Sequence, residues 1–170
     1  MGKRKAAPTP PENRFILHRF NGDEVYRFKS AIMFTYSADP VMLSFEVEAD
    51  CDAISRCEDT AELGMAPKAA VDVELPDFNL DQLVGRKFSI PGTKTDAEDS
   101  CKSLFYYCEH EPLRKNKITV VSRRGDLFWL RWTAETKDVI YYDGSKPPTK
   151  VEIEGEFLFV TDVKKWFAEH

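Results

Sequence analysis

The feature that most constrains the fold is a succession of short segments in which apolar and polar residues alternate, separated by turn residues at intervals of roughly 8–12 residues. Asn21-Gly22 is the best hairpin signal, because both residue types tolerate positive φ and strand-like segments lie on either side. Residues 71–75 alternate so that Asp72 and Glu74 are expected to face solvent. Period-two alternation puts successive side chains on opposite faces, so these segments predict strands with one face on a core.

Further strand-like segments are bounded by turn residues in the same way. They lie at residues 15–20, 25–28, 32–36, 41–48, 87–90, 104–108, 118–122, 127–133, 139–142 and 151–160. Helical signals are confined to a turn near 77–85 and a final turn at 162–168, which Thr161 would cap. Since strands and helices do not alternate along the chain, the sequence predicts an all-β, mainly antiparallel fold. We expect a β-sandwich or barrel with a short C-terminal helical turn.

The chain is long enough to bury a core without disulfide or metal staples, because its 170 residues are near the common size for one domain. Its 12 Phe, 6 Tyr and 3 Trp favour sheets, since aromatic rings pack well on a pleated surface. Residues 1–12 are basic and rich in proline, so they are predicted to form a disordered tail. Residues 13–170 are predicted to form a single β-rich domain.

Charge and hydropathy favour a cytoplasmic protein without membrane contact. A formal net charge of -5 keeps the chain soluble and provides no broad basic field for nucleic acid. No stretch approaches the roughly 18 consecutive apolar residues that cross a bilayer. The basic start has no apolar segment behind it, so it does not predict a secretory signal.

The cysteines are the first candidates for chemistry. They are Cys51, Cys57, Cys101 and Cys108. In a reducing cytosol we expect free thiols that act as small hydrophobic residues, although the spacing alone leaves open whether they ever pair. Five and six residues separate the two neighbouring pairs, whereas structural zinc ligands usually have two to four residues between them. The sequence therefore predicts no metal site and no cofactor.

The segment Glu109-His110-Glu111 is the second candidate, since a carboxylate beside an imidazole could support acid–base chemistry. Adjacent residues of a strand point to opposite faces, so neither glutamate would orient His110 directly. Cys108 would share its face. His18 has even less around it in the sequence. A surface histidine without a catalytic role is the prediction.

A nucleic-acid interface is the third candidate, because basic residues contact phosphates and rings stack on bases. The basic residues are Arg114, Lys115, Lys117, Arg123 and Arg124, and they flank an aromatic strand at 127–133. Most of these charges fall in predicted turns of an acidic chain. Solvated turn residues are therefore the preferred interpretation, and nucleic acid is not an expected partner.

The best interaction candidate combines exposed rings with a loop. Its residues are Trp129, Arg131, Tyr141, Tyr142 and Asp143. If Phe128, Leu130 and Trp132 face the core, then Trp129 and Arg131 must face outward. Exposed rings beside a rigid loop are typical of recognition surfaces, because they lose little entropy on binding. The alternative is that the rings cover the core and Asp143 only forms a turn.

The sequence carries no phosphate-binding loop, dinucleotide fingerprint or nucleophile elbow, so a non-enzymatic role is favoured. We predict a binding or assembly module that recognises a protein or peptide partner through an exposed aromatic face and loops. The alternative is a hydrolase or isomerase with a carboxylate-lined barrel mouth, using residues such as Glu109, Tyr142 and Asp143. The oligomeric state is left open.

Overall fold

The computed structural model describes residues 11–92 and 103–170. Its strands are β1 (Arg14–Arg19), β2 (Gly22–Tyr26), β3 (Phe28–Ala38), β4 (Val41–Ala49), β5 (Lys68–Leu75), β6 (Lys87–Ile90), β7 (Ser103–Tyr107), β8 (Glu109–Pro112), β9 (Arg114–Arg124), β10 (Leu127–Thr136) and β11 (Thr149–Phe159). Short 3-10 turns span Glu58–Thr60 and Leu80–Gln82, and a helix, α1, spans Val163–Glu169. Most of the predicted tail, at residues 1–10, and Cys101 lie outside the described residues.

The strands form one curled sheet in the shape of a half-barrel, which confirms the predicted all-β class. Its main order is β6-β9-β10-β11-β3-β4-β5-β7-β8, and β1 and β2 extend it from the side of β11. The pairings within the described ranges are antiparallel, except that β11 runs parallel to β3. The sheet is therefore mixed, although hairpin-type pairing dominates.

On the edge that faces away from β10, strand β11 changes its pairing partner near Gly155. Residues before it pair with β1, and Leu158 and Phe159 pair with β3. A Cβ atom added to Gly155 would lie 2.5 Å from the Phe28 ring and 2.6 Å from Asn13 Oδ1. Glycine suits this crossing point, because any larger residue would force the Phe28 ring or the Asn13 side chain to move.

Polar side chains hold the start of β7 against the start of β9 and so curl the sheet. Asn116 Nδ2 donates to Ser103 Oγ at 2.8 Å, and Ser103 Oγ donates to the Leu113 carbonyl at 2.6 Å. The indole Nε1–H of Trp132 donates to Asn116 Oδ1 at 3.0 Å. These buried groups are mutually satisfied, as a polar group inside a core must be.

The main core lies inside the curl. The largest fully buried side chains include Trp132, Phe15, Phe45, Phe105, Phe128 and Phe157. Each large apolar side chain removed from water in this way contributes about 1.5–3 kcal/mol. The predicted inward parity of β10 is confirmed, because Phe128, Leu130 and Trp132 are fully buried.

A second, smaller apolar layer lies outside the curl under α1. Ile32, Phe34 and Met42 are buried but do not belong to the main core cluster. The Phe34 and Phe167 rings meet edge to face at 6.2 Å between centroids. In the described part of the chain, no helix has the length and apolar character needed to cross a membrane.

Five local predictions were wrong. The basic residues expected mostly in turns all lie within β9, namely Arg114, Lys115, Lys117, Arg123 and Arg124. Residues 139–142 do not form a strand, because the chain turns at Ile140, whose φ is 72°. Cys108 does not share a strand face with His110, since it forms the turn between β7 and β8 with φ at 67°. Asp72 is buried rather than wet, and it accepts a hydrogen bond from the Tyr36 hydroxyl at 2.5 Å. The cap of α1 is Asp162, not Thr161.

Candidate functional site

Trp129 and Arg131 lie on the outer face of β10, as predicted from the alternation of the strand. The half-buried indole donates its Nε1–H to Glu154 Oε1 at 3.2 Å, and Arg131 Nε donates to the same oxygen at 2.9 Å. Partial burial raises the pKa of Glu154, but hydrogen bonds from Arg131 and Trp129 outweigh it, so the pKa is lowered. The charged carboxylate thus fixes the orientation of both neighbours.

Two open grooves meet at Trp129. The larger has a volume of about 760 Å³ and follows the outer face of β9, β10 and β11. The smaller has a volume of about 230 Å³ and lies toward β1. Trp129, Glu154 and Pro11 border both grooves, while Val121 and Ile16 add apolar surface to one groove each. The ring therefore forms a ridge between two concave surfaces.

The charges around these grooves are balanced. The charged lining residues are Arg14, Arg123, Arg124, Arg131, Glu12, Glu152, Glu154 and Glu156. Many of them pair with each other: Arg124 Nη2 lies 3.1 Å from Glu156 Oε1, and Arg14 Nη2 lies 3.7 Å from Glu12 Oε2. The surface consequently has no strong field of either sign to attract a highly charged partner.

The other three predicted residues lie elsewhere. Tyr141, Tyr142 and Asp143 follow the far end of β10, whereas Trp129 is near its start. The seven residue-to-residue steps from Trp129 to Thr136 cover about 23 Å at the usual rise per residue. The structure therefore brings Trp129 and Arg131 together but separates them from the loop with which the sequence grouped them.

Tyr141 belongs to a small, partly exposed group of two rings and a lysine at that end of the sheet. Its ring meets Phe20 edge to face at 5.5 Å between centroids. Lys146 Nζ lies 4.8 Å from the Phe20 centroid and 5.2 Å from the Tyr141 centroid. The ammonium group thus already occupies the cation–π position that a ligand would use.

Tyr142 and Asp143 have structural contacts. The Tyr142 hydroxyl donates to the Tyr107 carbonyl, and burial raises the pKa of Tyr142. The backbone N–H of Ser145 donates to Asp143 Oδ1 at 2.9 Å and lowers the pKa of Asp143. These contacts close the loop on itself and on β7, which supports the alternative interpretation of this segment.

A buried charge cluster was missed by the sequence reasoning. Arg19, with no exposed side-chain surface, binds Asp59 and Asp138 with two hydrogen bonds each, at 2.8 to 3.1 Å, and Glu24 Oε1 at 3.0 Å. Burial lowers the pKa of Arg19, but the carboxylates raise it by a larger amount. The net pKa is raised, so the guanidinium stays charged. The sequence did hold a signal, because Arg19 shares its parity with the core residues Phe15 and Leu17.

The remaining carboxylate oxygens of the cluster are also engaged. The Tyr26 hydroxyl donates to Glu24 Oε2 at 2.5 Å, and the Thr60 hydroxyl donates to Glu24 Oε1. Thr149 Oγ1 donates to Asp138 Oδ2 at 2.6 Å. These donors all belong to the protein itself, so the carboxylate oxygens of Glu24 and Asp138 are already engaged and face no substrate. The cluster fits a structural role.

One set of potential metal ligands lies in this cluster. Ligand atoms of Glu24, Cys57 and Asp59 lie within 4.8 Å of one another. The guanidinium of Arg19 already pairs with both carboxylates, so the positive charge that a metal would supply is present. Burial raises the pKa of Cys57, which favours the thiol over the metal-binding thiolate.

His18 has more around it than the sequence indicated. Its Nδ1 lies 2.9 Å from Asp23 Oδ1 and its Nε2 lies 3.1 Å from Glu152 Oε2, at an open groove of about 400 Å³. Partial burial lowers the pKa of His18, but the two carboxylates outweigh it and the net pKa is raised. Each ring nitrogen faces a carboxylate oxygen of the protein itself, so both nitrogens are already engaged.

His110 lines a fourth groove, of about 350 Å³, between α1 and the outer sheet face. Its ring lies 4.7 Å from the Tyr106 ring, and Leu104, Trp166 and Phe167 supply apolar surface. The sequence hinted at this groove only through the aromatic pair in the last helix.

No protein-family model, no curated protein and no solved structure matches the chain.

Proposed function

We propose that this protein is a non-enzymatic binding module that recognises a protein or peptide partner through the outer face around Trp129. The observation that carries the proposal is the position of the indole between two grooves, held by Glu154. A ring fixed before binding loses little entropy when a partner covers it. Tryptophan and arginine are both enriched among the residues that dominate binding energy at interfaces.

The enzyme alternative has weaker support. The residues named for it, Glu109, Tyr142 and Asp143, do not line a common groove among those described above, and Tyr142 and Asp143 are engaged within their own loop. The carboxylates that do converge, around Arg19, are already saturated with donors. General acid–base work requires a group that can reach substrate and exchange a proton.

We also propose that the protein acts in the cytoplasm. Cys51, Cys57 and Cys108 are free thiols, which suits a reducing compartment. Cys51 is exposed, and an exposed thiol in an oxidising compartment would be open to pairing with other thiols.

The test compares Trp129→Ala with two control variants. Thr133→Ala changes an exposed residue on the same face of β10, and Phe167→Ala removes an exposed ring from another part of the molecule. Wild type and variants are immobilised in equal amounts, and proteins retained from a cell extract are quantified by mass spectrometry. We expect a partner that both controls retain and Trp129→Ala loses.

The purified partner is then titrated against each variant by calorimetry. Removal of a central aromatic anchor should weaken binding by roughly 30-fold, the equivalent of about 2 kcal/mol. Equal affinity of Trp129→Ala and wild type would refute the assignment of the surface. Loss of activity or binding only in His110→Ala would promote the groove under α1 instead.

A further inference from the structure

We infer that the partner segment bound at Trp129 is proline-rich and extended, in the polyproline II conformation. This inference rests on the proposed function and names the chemistry of its ligand. Polyproline II segments dock on aromatic-lined grooves, and their prolines are ordered before binding. Three features of the Trp129 face favour this ligand.

The first feature is that the chain already brings a proline to this site. Pro11 borders both grooves that meet at Trp129. Residues 11–13 form neither helix nor strand, and Asn13 Oδ1 accepts a hydrogen bond at 2.9 Å from the backbone N–H of Glu156 on β11. A proline in an irregular segment can therefore lie beside this indole without disturbing the sheet.

The second feature is the balance of charge. Arg131 and Arg124 each pair with a glutamate of β11. A strongly acidic or basic ligand would have to compete with these ion pairs and would gain no net field in return. An uncharged segment leaves the pairs intact and gains from apolar contact with the ring, so the surface favours it.

The third feature is the hydrogen-bonding capacity around the ring. A polyproline II ligand offers backbone carbonyl acceptors, and its prolines carry no N–H groups that need partners. Arg131 uses its Nε for Glu154, and its two terminal nitrogens make no hydrogen bond to the described residues. Its side chain is 64% exposed, so these donors can reach carbonyls of a segment lying along the groove.

The experiment uses the three tryptophans as internal reporters. Trp129 lies at the proposed site, Trp132 is fully buried, and Trp166 lies on α1. The indole N–H signals of the ¹⁵N-labelled full chain are assigned with Trp129→Phe and Trp166→Phe variants. A short capped oligoproline peptide is titrated in, with a capped Gly-Ser peptide of equal length as the matched control.

Oligoproline should shift the Trp129 signal in a saturable manner and leave the Trp132 and Trp166 signals unchanged. The Gly-Ser peptide should have no effect, and Trp129→Ala should weaken binding by roughly tenfold or more. An unchanged Trp132 signal in that variant shows that the core remains folded. Equal responses to the two peptides, or none to either, would overturn the proline assignment.

Two other occupants would give different results and would also overturn the inference. A Trp129 signal that shifts with protein concentration, but not with oligoproline, would assign the face to a second copy of this chain. A signal that shifts when Pro8 and Pro10 are replaced by alanine, but not with oligoproline, would assign it to the protein's own segment. The proposed function fails separately, when no partner distinguishes Trp129→Ala from its controls.

Discussion

The Arg19 cluster and the Trp129 face use the same pairing of arginine with carboxylates, one inside the half-barrel and the other outside. Inside, Arg19 has no exposed side-chain surface and three carboxylates around it. Outside, Arg131 is 64% exposed and shares Glu154 with an indole. Because Arg19 is buried, the loss of any one partner leaves a charge without a substitute. Water can replace any lost partner of the exposed Arg131. The same chemistry therefore stabilises in one place and remains adaptable in the other.

The largest effect that this comparison predicts is on Arg19. Replacing it by Met would leave buried carboxylates without their cation, so Arg19→Met should lower the free energy of unfolding by about 3–5 kcal/mol. The matched change outside, Arg131→Met, should lower it by less than about 1 kcal/mol. Urea denaturation followed by circular dichroism measures both. Similar losses in the two variants would contradict the contrast between inside and outside.

The two tryptophans of β10 should separate stability from binding. Trp132→Ala removes a fully buried ring and its hydrogen bond to Asn116, which should destabilise the protein by about 3–5 kcal/mol. Trp129→Ala should cost about 1 kcal/mol or less in a thermal melt and still abolish most partner binding. A large stability loss for Trp129→Ala would mean that this ring belongs to the core.

A smaller effect is expected for Tyr142, which the sequence grouped with Trp129. Tyr142→Phe removes the hydroxyl that donates to the Tyr107 carbonyl and should destabilise the protein by about 0.5–1.5 kcal/mol. Partner affinity measured by calorimetry should be unchanged. If affinity instead fell as far as in Trp129→Ala, both regions would contact the same partner.

The smallest effect concerns His18, whose ion pairs lie on the outer face. Its pKa is raised in the folded protein above the ordinary value of 6.5, so its pairs with Asp23 and Glu152 stabilise the fold at low pH. That contribution is complete below the unfolded pKa and is lost as the pH rises through the folded pKa. It should be under about 1 kcal/mol, because the pairs are exposed.

Denaturation from pH 6 upward, in wild type and His18→Gln, measures this contribution as the difference between the two profiles. The profiles should converge above the folded pKa of His18. Parallel profiles over the whole range would show that the histidine is not charged in the folded protein.

Alternation along single strands was enough to predict the β class and the inward and outward faces of β10, because side-chain direction is a local property. The five-residue site was only partly predictable. Trp129 and Arg131 follow from parity, but their distance from Tyr141 depends on where β10 ends. Residues 139–142 looked like a strand from their apolar side chains, yet burial of Asp138 and Val139 beside Arg19 turns the chain away.

The Arg19 cluster and the pairing of β11 with β3 could not be predicted for a different reason. Parity groups Arg19 with the core residues of β1, but Asp59 and Asp138 are far from it in the sequence, as β11 is from β3, and no local pattern specifies such partners. The sequence reasoning put Glu109, His110 and Glu111 on a strand with Cys108 and did not predict that they form a separate strand, β8. Its pairing comes from the tight turn at Cys108, which carries no common turn residue.

The central place of β11 has a consequence for the order of folding. Strands β1 and β3 lie near one end of the chain, and both pair with β11, which lies near the other end. Arg14 therefore cannot pair with Glu154, nor Met33 with Phe159, until β11 has been synthesised. Contacts of such long sequence separation close late and slow folding. During synthesis, β1 and β3 therefore have exposed edges until β11 has emerged, and nascent or truncated chains that lack it should be the species most prone to aggregate.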